Sequence, residues 1–399
     1  MFKYFSLDKI YQYLLIILAF LMPLTVFGAN LIIVIICLLW LFTGSYKYKY
    51  NQIINNKFIL ASILFFSIHI VGLLWTEDLS WGFHILHKMW YFLLLLPVLF
   101  TIVKKENIKL YISAFLLAIS ITEVFSYLVW FELIEPFMNA SLENPTPFMS
   151  HISYNPILAF AIYLVLHEIF FSSKISILKK YIYSFFMLTM TFNMFITGGR
   201  AGQVMFFSML SILIFQWFSS HKFKAIGVIL IVIPGIFISA YQTSDIFHQR
   251  VDSAIDNIVN YEEDKNTSVG IRIAYAINSW EVIINNPIIG IGTGDFPSEY
   301  RKINQINTPD LPISTNPHNM YILIQMQLGL IGLISFLFIF YYQIKFSFTV
   351  ANKYIRDVGL TLPLLFLIIM WSDSYLLGHY TTLMYIFFSS FLYKNFEKS

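Results

Sequence analysis

The stretch FILASILFFSIHIVGLLWT, residues 58–76, decides the architecture. It runs for 19 residues without Asp, Glu, Lys or Arg. It neither alternates as a half-buried strand does nor confines its apolar residues to one helical face. A helix needs about 20 apolar residues to cross the hydrocarbon core of a bilayer, and this run has that length. Similar runs lie near 11–27, 29–44, 89–103, 110–131, 157–173, 181–197, 203–218, 225–241, 319–343, 358–372 and 380–393, which makes about twelve. They are continuous rather than alternating, which argues against a transmembrane barrel. The whole chain of 399 residues is 58% hydrophobic and 12% charged, with 41 Phe and 25 Tyr. A soluble domain carries roughly 25% charge, and a polar exterior cannot cover this much apolar surface. Disorder is excluded on the same grounds. A cytosolic enzyme or a free nucleic-acid binder does not fit either, and no nucleic-acid partner is expected.

The expected fold class is all-α: a polytopic transmembrane helical bundle of about 12 spans with one long outer loop containing short helices. The connections orient it. Lys3 and Lys9, Lys47, Lys49 and Lys57, Lys104, Lys105 and Lys109, Lys174, Lys179 and Lys180, Lys222 and Lys224, Lys345, Lys353 and Arg356, and Lys394 and Lys398 fall in alternate connections. They are 18 of the 25 basic residues, and the positive-inside rule makes that face cytoplasmic with both termini on it. Lys88, Arg200, Arg250, Lys265, Arg272, Arg301 and Lys302 are left for the outer face. The N-terminus, basic and then apolar without a small-residue cleavage site, reads as an uncleaved first span. The lone Cys37 excludes an intrachain disulfide and a cysteine metal site. The chain divides into a first bundle part at 1–241, a long outer loop at 242–318 and a last bundle part at 319–399. Within the loop, helices are expected at 246–261, with Ile246, Val251, Ile255, Ile258 and Val259 on one face, and at 269–285, with Ile273, Ala276, Ile277, Trp280 and Ile284 on one face. Asn286-Pro287 ends the second.

Cations are scarce on the outer face, so each carries weight. Arg200 lies in Thr197-Gly198-Gly199-Arg200-Ala201-Gly202, a tight turn whose glycines open space around a guanidinium. It reads as a phosphate clamp or as a snorkelling anchor. Arg272 begins the second loop helix, ahead of Trp280 and the Gly290-Ile291-Gly292-Thr293-Gly294 run. That run lacks the Lys-Ser/Thr and the strand–helix context of a nucleotide loop, which leaves a flexible turn as the plainer reading. His318, in Asn316-Pro317-His318-Asn319, opens a span whose first turn suits Pro317 and whose cap is Asn316 or Asn319. A neutral imidazole there can take a proton from a hydroxyl, or be a plain interfacial residue. Glu123 and Glu168 lie in apolar spans, and Asp373 and His379 flank the last outer turn. His84 and His87 have metal-compatible spacing but no paired carboxylate motif. Asn139-Ala140-Ser141 and Asn266-Thr267-Ser268 match a short glycosylation acceptor pattern.

Taken in order, the Gly-Gly-Arg200-Ala-Gly turn, Arg272, Trp280, Asn286-Pro287, the Gly-x-Gly-x-Gly run, Pro317-His318-Asn319-Met320-Tyr321 and Leu328-Gly329-Leu330-Ile331-Gly332 resemble the O-antigen ligase-like family, which also holds O-antigen and related polysaccharide polymerases. The resemblance covers about residues 190–345, and Asn155-Pro156 fits it as well. The family's turn often reads Thr-Gly-Ser-Arg, and Gly199 stands at the Ser position. The resemblance implies a GT-C-like, metal-independent membrane glycosyltransferase without a cofactor. It implies a glycan donor on undecaprenyl diphosphate and an acceptor sugar hydroxyl, on lipid A–core for a ligase or on another lipid-linked glycan for a polymerase. It places such a protein in the bacterial inner membrane with its site on the periplasmic side. The residues it selects are His318, Arg200 and Arg272 for catalysis, and Arg200, Arg272, Asn319, Gly199 and Trp280 for substrate. A secondary transporter is the rival from another class, with Glu123 and Glu168 as coupling carboxylates.

Overall fold

A computed structural model describes residues 7–173 and 175–396; Lys3, Lys174 and Lys398 lie outside the described residues. The described chain is helical, with no strand among these residues. In order the helices are α1 (Leu7–Leu21), α2 (Val26–Phe42), α3 (Tyr46–Ile54), α4 (Lys57–Gly72), α5 (Leu79–Trp90), α6 (Leu96–Ile102), α7 (Ile108–Trp130), α8 (His151–Phe171), α9 (Ile177–Ile196), α10 (Arg200–Trp217), α11 (Lys222–Thr243), α12 (Asp245–Val259), α13 (Gly270–Asn285), α14 (Phe296–Asn307), α15 (Met320–Thr349), α16 (Lys353–Ile369) and α17 (His379–Leu392). A π-helical segment, Tyr91–Leu95, joins α5 to α6 into one rod. It precedes Pro97, whose ring crowds the carbonyl four residues back, so the ladder widens there rather than continuing as α.

A helix occupies each expected apolar run. Six segments among the described residues are long and apolar enough to cross a membrane, and seven if the bent pair α2–α3 counts as one. The shortfall from twelve is a matter of length and polarity. Helices α1, α16 and α17 have only 15, 17 and 14 residues, and a helix rises about 1.5 Å per residue.

The chain forms two compact units. The first comprises Met1–Gln12, Ile33–Ile108 and Ala254–Ser399, and the second Tyr13–Ile32 and Lys109–Ser253. In the first, α4 packs along α15, and an aromatic cluster fills the core: Phe65 meets Phe92 at 5.6 Å and Phe336 at 5.2 Å, while Tyr385 meets Phe366 at 4.7 Å. In the second, α8 packs against α9 and α10 and is buried on all sides along Tyr154–His167. A polar ladder crosses it: Tyr154 Oη donates to Asn193 Oδ1 (3.0 Å), and Asn193 Nδ2 donates to Ser126 Oγ (2.9 Å). Helix α11 buries little besides Ala225 and Ala240, and a helix so apolar yet so exposed is suited to face lipid.

The long connection holds three helices, not two. Helices α12 and α13 occur close to the expected bounds. The apolar face expected for α13 points outward: Ile277, Trp280 and Ile284 are more than half exposed, and the buried side is Ala274, Tyr275, Asn278 and Val282. Helix α14 escapes a search for apolar periodicity because only Phe296 and Tyr300, four residues apart, anchor it, with Asn304 buried on the same side. Asn304 is held by donating to the Leu311 carbonyl (3.2 Å).

The Gly-x-Gly-x-Gly run is neither a nucleotide loop nor a free turn. Helix α15 breaks at Gly329 (φ 59°, ψ −156°), and the segment after α13 inserts its backbone at the break. Ile291 N donates to Met326 O (3.0 Å), Gly292 N to Gln327 O (2.9 Å), Leu330 N to Pro287 O (2.9 Å) and Ile331 N to Ile288 O (3.2 Å). The loop thereby replaces the intrahelical bonds lost at the break, as buried backbone requires. A Cβ on Gly290 would lie 2.4 Å from the Gln327 carbonyl carbon, and one on Gly329 2.3 Å from that of Ile288, so both positions demand glycine. Beyond the run, Thr293 Oγ1 donates to His69 O (2.7 Å), and the Asp295 carboxylate accepts from the N–H groups of Glu77 and Asp78. The run therefore fixes the long connection to α4, α5 and α15.

Candidate active site

In the first unit the chemistry gathers around His318. Its backbone sits at φ 52°, a left-handed conformation rarely adopted by residues other than glycine. Side chains on both flanks hold it there. Asn316 Oδ1 accepts the His318 N–H (3.0 Å) and the Ser374 hydroxyl (2.8 Å). Asn319 caps α15 by accepting from Tyr321 N (3.0 Å) and Ile322 N (3.1 Å), and its Nδ2 donates to Trp371 O (3.3 Å). Of the two cap candidates Asn319 therefore fills the role, and Pro317 precedes the helix instead of entering its first turn. The Asn319 side chain is almost wholly buried in these duties.

The imidazole lies parallel to Tyr275, with ring centroids 6.1 Å apart at 15°, and its Nδ1–H donates to Asp373 Oδ1 at 3.2 Å. The same carboxylate oxygen accepts Ser374 N (2.7 Å). Burial pushes the Asp373 carboxyl up, but the hydrogen bond and charge of His318, the Ser374 N–H and the Arg272 charge together outweigh it and hold the group below the usual carboxylate range. With Nδ1 committed to Asp373, Nε2 is the imidazole nitrogen free to meet a substrate proton. Arg272, half-buried on α13, contributes to the same field, and among the described residues no carboxylate comes within ion-pair distance of it. Its guanidinium is thus available to an anion. The structure brings together His318, Asp373 and Arg272. Trp280 stands on the outward stripe of α13 with Ile277 and Ile284.

In the second unit the glycine turn between α9 and α10 is built on Asn155. Thr197 Oγ1 donates to Asn155 Oδ1 (2.8 Å), and Asn155 Nδ2 donates to Gly199 O (3.3 Å). A Cβ on Gly199 would lie 2.4 Å from Asn155 Nδ2 and one on Gly202 2.1 Å from Asn155 Cβ, so these glycines exist to admit that side chain. Gly198 N donates to Asn144 Oδ1 (3.0 Å). Arg200 is half-buried as the first residue of α10, directly after the Gly199 cap.

The turn also receives a second guanidinium. A Cβ on Gly198 would lie 3.1 Å from Arg250 Nη2 and 3.2 Å from its Nε, so Arg250 of α12 rests against the bare face of the turn. The acid nearest along that helix, Asp252, is taken: its carboxylate accepts Tyr241 Oη (2.7 Å) and pairs with His248 (3.1 Å). Among the described residues Arg250 has no carboxylate partner. In sequence it reads as one more outer basic residue, and only the fold sets it on Gly198. Of the other candidates, Glu168 pairs with Lys179 at 3.7 Å. Glu123 is buried within α7. His379 Nδ1 meets Tyr91 Oη at 2.8 Å. Among the described residues no group of three or more His, Cys, Asp or Glu side chains is placed to hold a metal, and His84 and His87 gain no third ligand.

Residues 185–337 match the family model described as O-Antigen ligase. Over this stretch the chain is similar to the O-antigen ligase family. The matched stretch runs from α9 to the broken part of α15 and takes in Arg200, Arg250, Arg272, Trp280, the glycine splice and His318, while Asp373 lies beyond it. None of the curated proteins compared with the chain matches it. The match links this helical membrane protein to a ligase- and polymerase-like family. Each unit holds its own cluster: guanidinium groups at the glycine turn in one, and an imidazole, a carboxylate and a guanidinium in the other.

Proposed function

We propose that the protein transfers a glycan from undecaprenyl diphosphate to a sugar hydroxyl of lipid A–core, in lipopolysaccharide biosynthesis at the outer face of the bacterial inner membrane. The observation that carries this reading is the His318–Asp373 pair with Arg272 in its field. Such a dyad orients an imidazole for proton transfer and leaves a cation beside it for a phosphate. His318 Nε2 accepts the acceptor hydroxyl's proton as its oxygen attacks the anomeric carbon. The bond from that carbon to the diphosphate oxygen breaks, and its electron pair leaves with undecaprenyl diphosphate. Attack opposite the leaving group inverts the anomeric centre. Arg200 and Arg272 bind the diphosphate and stabilise the charge that develops on it, and Arg250 of α12, which rests against the Arg200 turn, adds to that binding. Gly199 keeps the Arg200 turn open, Asn316 holds the His318 N–H, Asn319 anchors the start of α15 directly after it, and the outward stripe around Trp280 accommodates the lipid chain.

Arg200→Ala is expected to abolish release of undecaprenyl diphosphate from a purified donor while the protein still inserts and folds; a wild-type rate would refute the clamp. For His318, Ala and Gln variants are compared, and full activity in both would remove it as base and as orienting group. The same residues serve a polymerase whose acceptor is a second lipid-linked glycan. Deletion in the native host separates the two. A ligase mutant loses all capped lipopolysaccharide and accumulates lipid-linked glycan, whereas a polymerase mutant keeps single-unit caps.

A further inference from the structure

Within the first unit, lined wholly by residues outside the matched stretch 185–337, lies a cavity of about 470 Å³. Its walls come from α3, the start of α4, α6, the last turns of α15 and the segment after α17, and Lys57, Lys345 and Lys394 line it. None of the described lining residues is an Asp or Glu. Lys57 is the first residue of α4, where its charge adds to the positive end of the helix dipole. Lys394 is 6% exposed, and its ammonium donates to the carbonyls of Thr101 (3.3 Å) and Val103 (3.2 Å) with no carboxylate in ion-pair range among the described residues. Burial, assisted by the Lys104 charge, lowers its pKa to about 8. Gln52 also lines the cavity, and both polar atoms of its amide are enclosed without a hydrogen-bond partner among the described residues. The buried Lys394 ammonium has two carbonyls and the Phe100 and Phe396 rings about it but no anion, the exposed Lys57 and Lys345 add positive charge to the same space, and the Gln52 amide there is unsatisfied; an anion with hydroxyl groups suits all of them.

The walls also say where that anion sits. Phe58, Phe100, Tyr342 and Phe346 make one side apolar. Helix α3 turns 114° away from α2 and exposes Tyr46, Tyr48 and Tyr50 beside Lys47, which is the composition of a segment lying at a membrane–water boundary. We propose that this cavity binds the phosphate headgroup of an anionic phospholipid, with the lysines on the phosphate, the Gln52 amide on headgroup hydroxyls and the aromatic wall along the first part of the acyl chains.

The test uses the purified full chain in mild detergent, followed by native mass spectrometry and thermal unfolding. Phosphatidylglycerol is expected to bind in preference to phosphatidylcholine and to raise the unfolding temperature. The double variant Lys57→Gln/Lys345→Gln, which changes two exposed side chains, is expected to bind phosphatidylglycerol roughly thirtyfold more weakly, from about 1 kcal/mol per lysine at an anionic surface. Gln52→Leu is expected to weaken binding while leaving the lipid-free protein at least as stable, because it removes two orphaned polar atoms. An unchanged lipid preference in the lysine variant would overturn the site. Stabilisation by millimolar inorganic phosphate equal to that by phosphatidylglycerol would overturn the lipid as its occupant.

Discussion

Asp373→Asn removes one negative charge from the side of His318 and keeps the size of the side chain. Oδ1 of the Asn still accepts from Ser374 N and His318 Nδ1, so the ring orientation survives and the loss is electrostatic. It is felt most when His318 becomes imidazolium, that is, in the transition state. Asp373 is 16% exposed and His318 36% exposed at the side chain, so the pair is partly screened from water. A hydrogen bond to a charged group contributes about 1.5–3 kcal/mol, which predicts a rate loss of roughly 10- to 150-fold with little change in donor affinity. The assay is single-turnover release of undecaprenyl diphosphate from a purified donor in proteoliposomes, with kcat and KM separated. The pH dependence follows from the sign of the shift. The carboxyl is held below its ordinary value of 3.8, so its contribution is complete at neutral pH and is lost only as pH falls through the lowered folded value. Titration of Asp373 itself therefore adds no step to the rate profile at neutral pH. The same substitution in a His318→Ala background is expected to cost little more. A wild-type rate in Asp373→Asn, or an equal fall in the His318→Ala background, would refute the dyad.

Three further outcomes are expected. Arg250→Gln raises the donor KM about tenfold or more with the unfolding temperature unchanged, since it removes a charge-assisted contact and no internal ion pair; an unaltered KM would detach Arg250 from the donor. Gly329→Ala destabilises by about 2–6 kcal/mol, adding the strain of a glycine-only backbone conformation to a Cβ forced against Ile288, and is read as a lowered unfolding temperature and loss of monodisperse protein. Gly198→Ala, which sets a Cβ against Arg250 and Asn144, raises the donor KM in the direction of Arg250→Gln and adds little to that variant when the two are combined.

Much of the candidate site is legible in the residues because their chemistry is out of place where it occurs. A guanidinium among glycines, a histidine at the mouth of an apolar run and an arginine on the long outer connection stand out in a chain with 12% charged residues. In sequence Asp373 shows only as a residue of the last outer turn, because the His318 it pairs with lies 55 residues away. Arg250 looked like any surface cation, since nothing near it in sequence tells which backbone it will lie against. Helix α14 leaves no periodic stripe in the sequence, because only two aromatic residues hold it.

What the sequence by itself determined is the helical, membrane-suited character of the chain and the positions of its apolar segments. Backbone amides buried in an apolar medium must be satisfied within their own segment, so a continuous apolar run has one stable answer. The tertiary structure decided everything that depends on a distant partner. The outward direction of the Ile277, Trp280 and Ile284 stripe, the strained backbone of His318 and its bond to Asp373, the seat of Arg250 on Gly198, and the use of Gly290 and Gly329 are all of this kind. A glycine in a sequence states only that a side chain is missing; which backbone fills the space is settled when Ile288 and Gln327 arrive there.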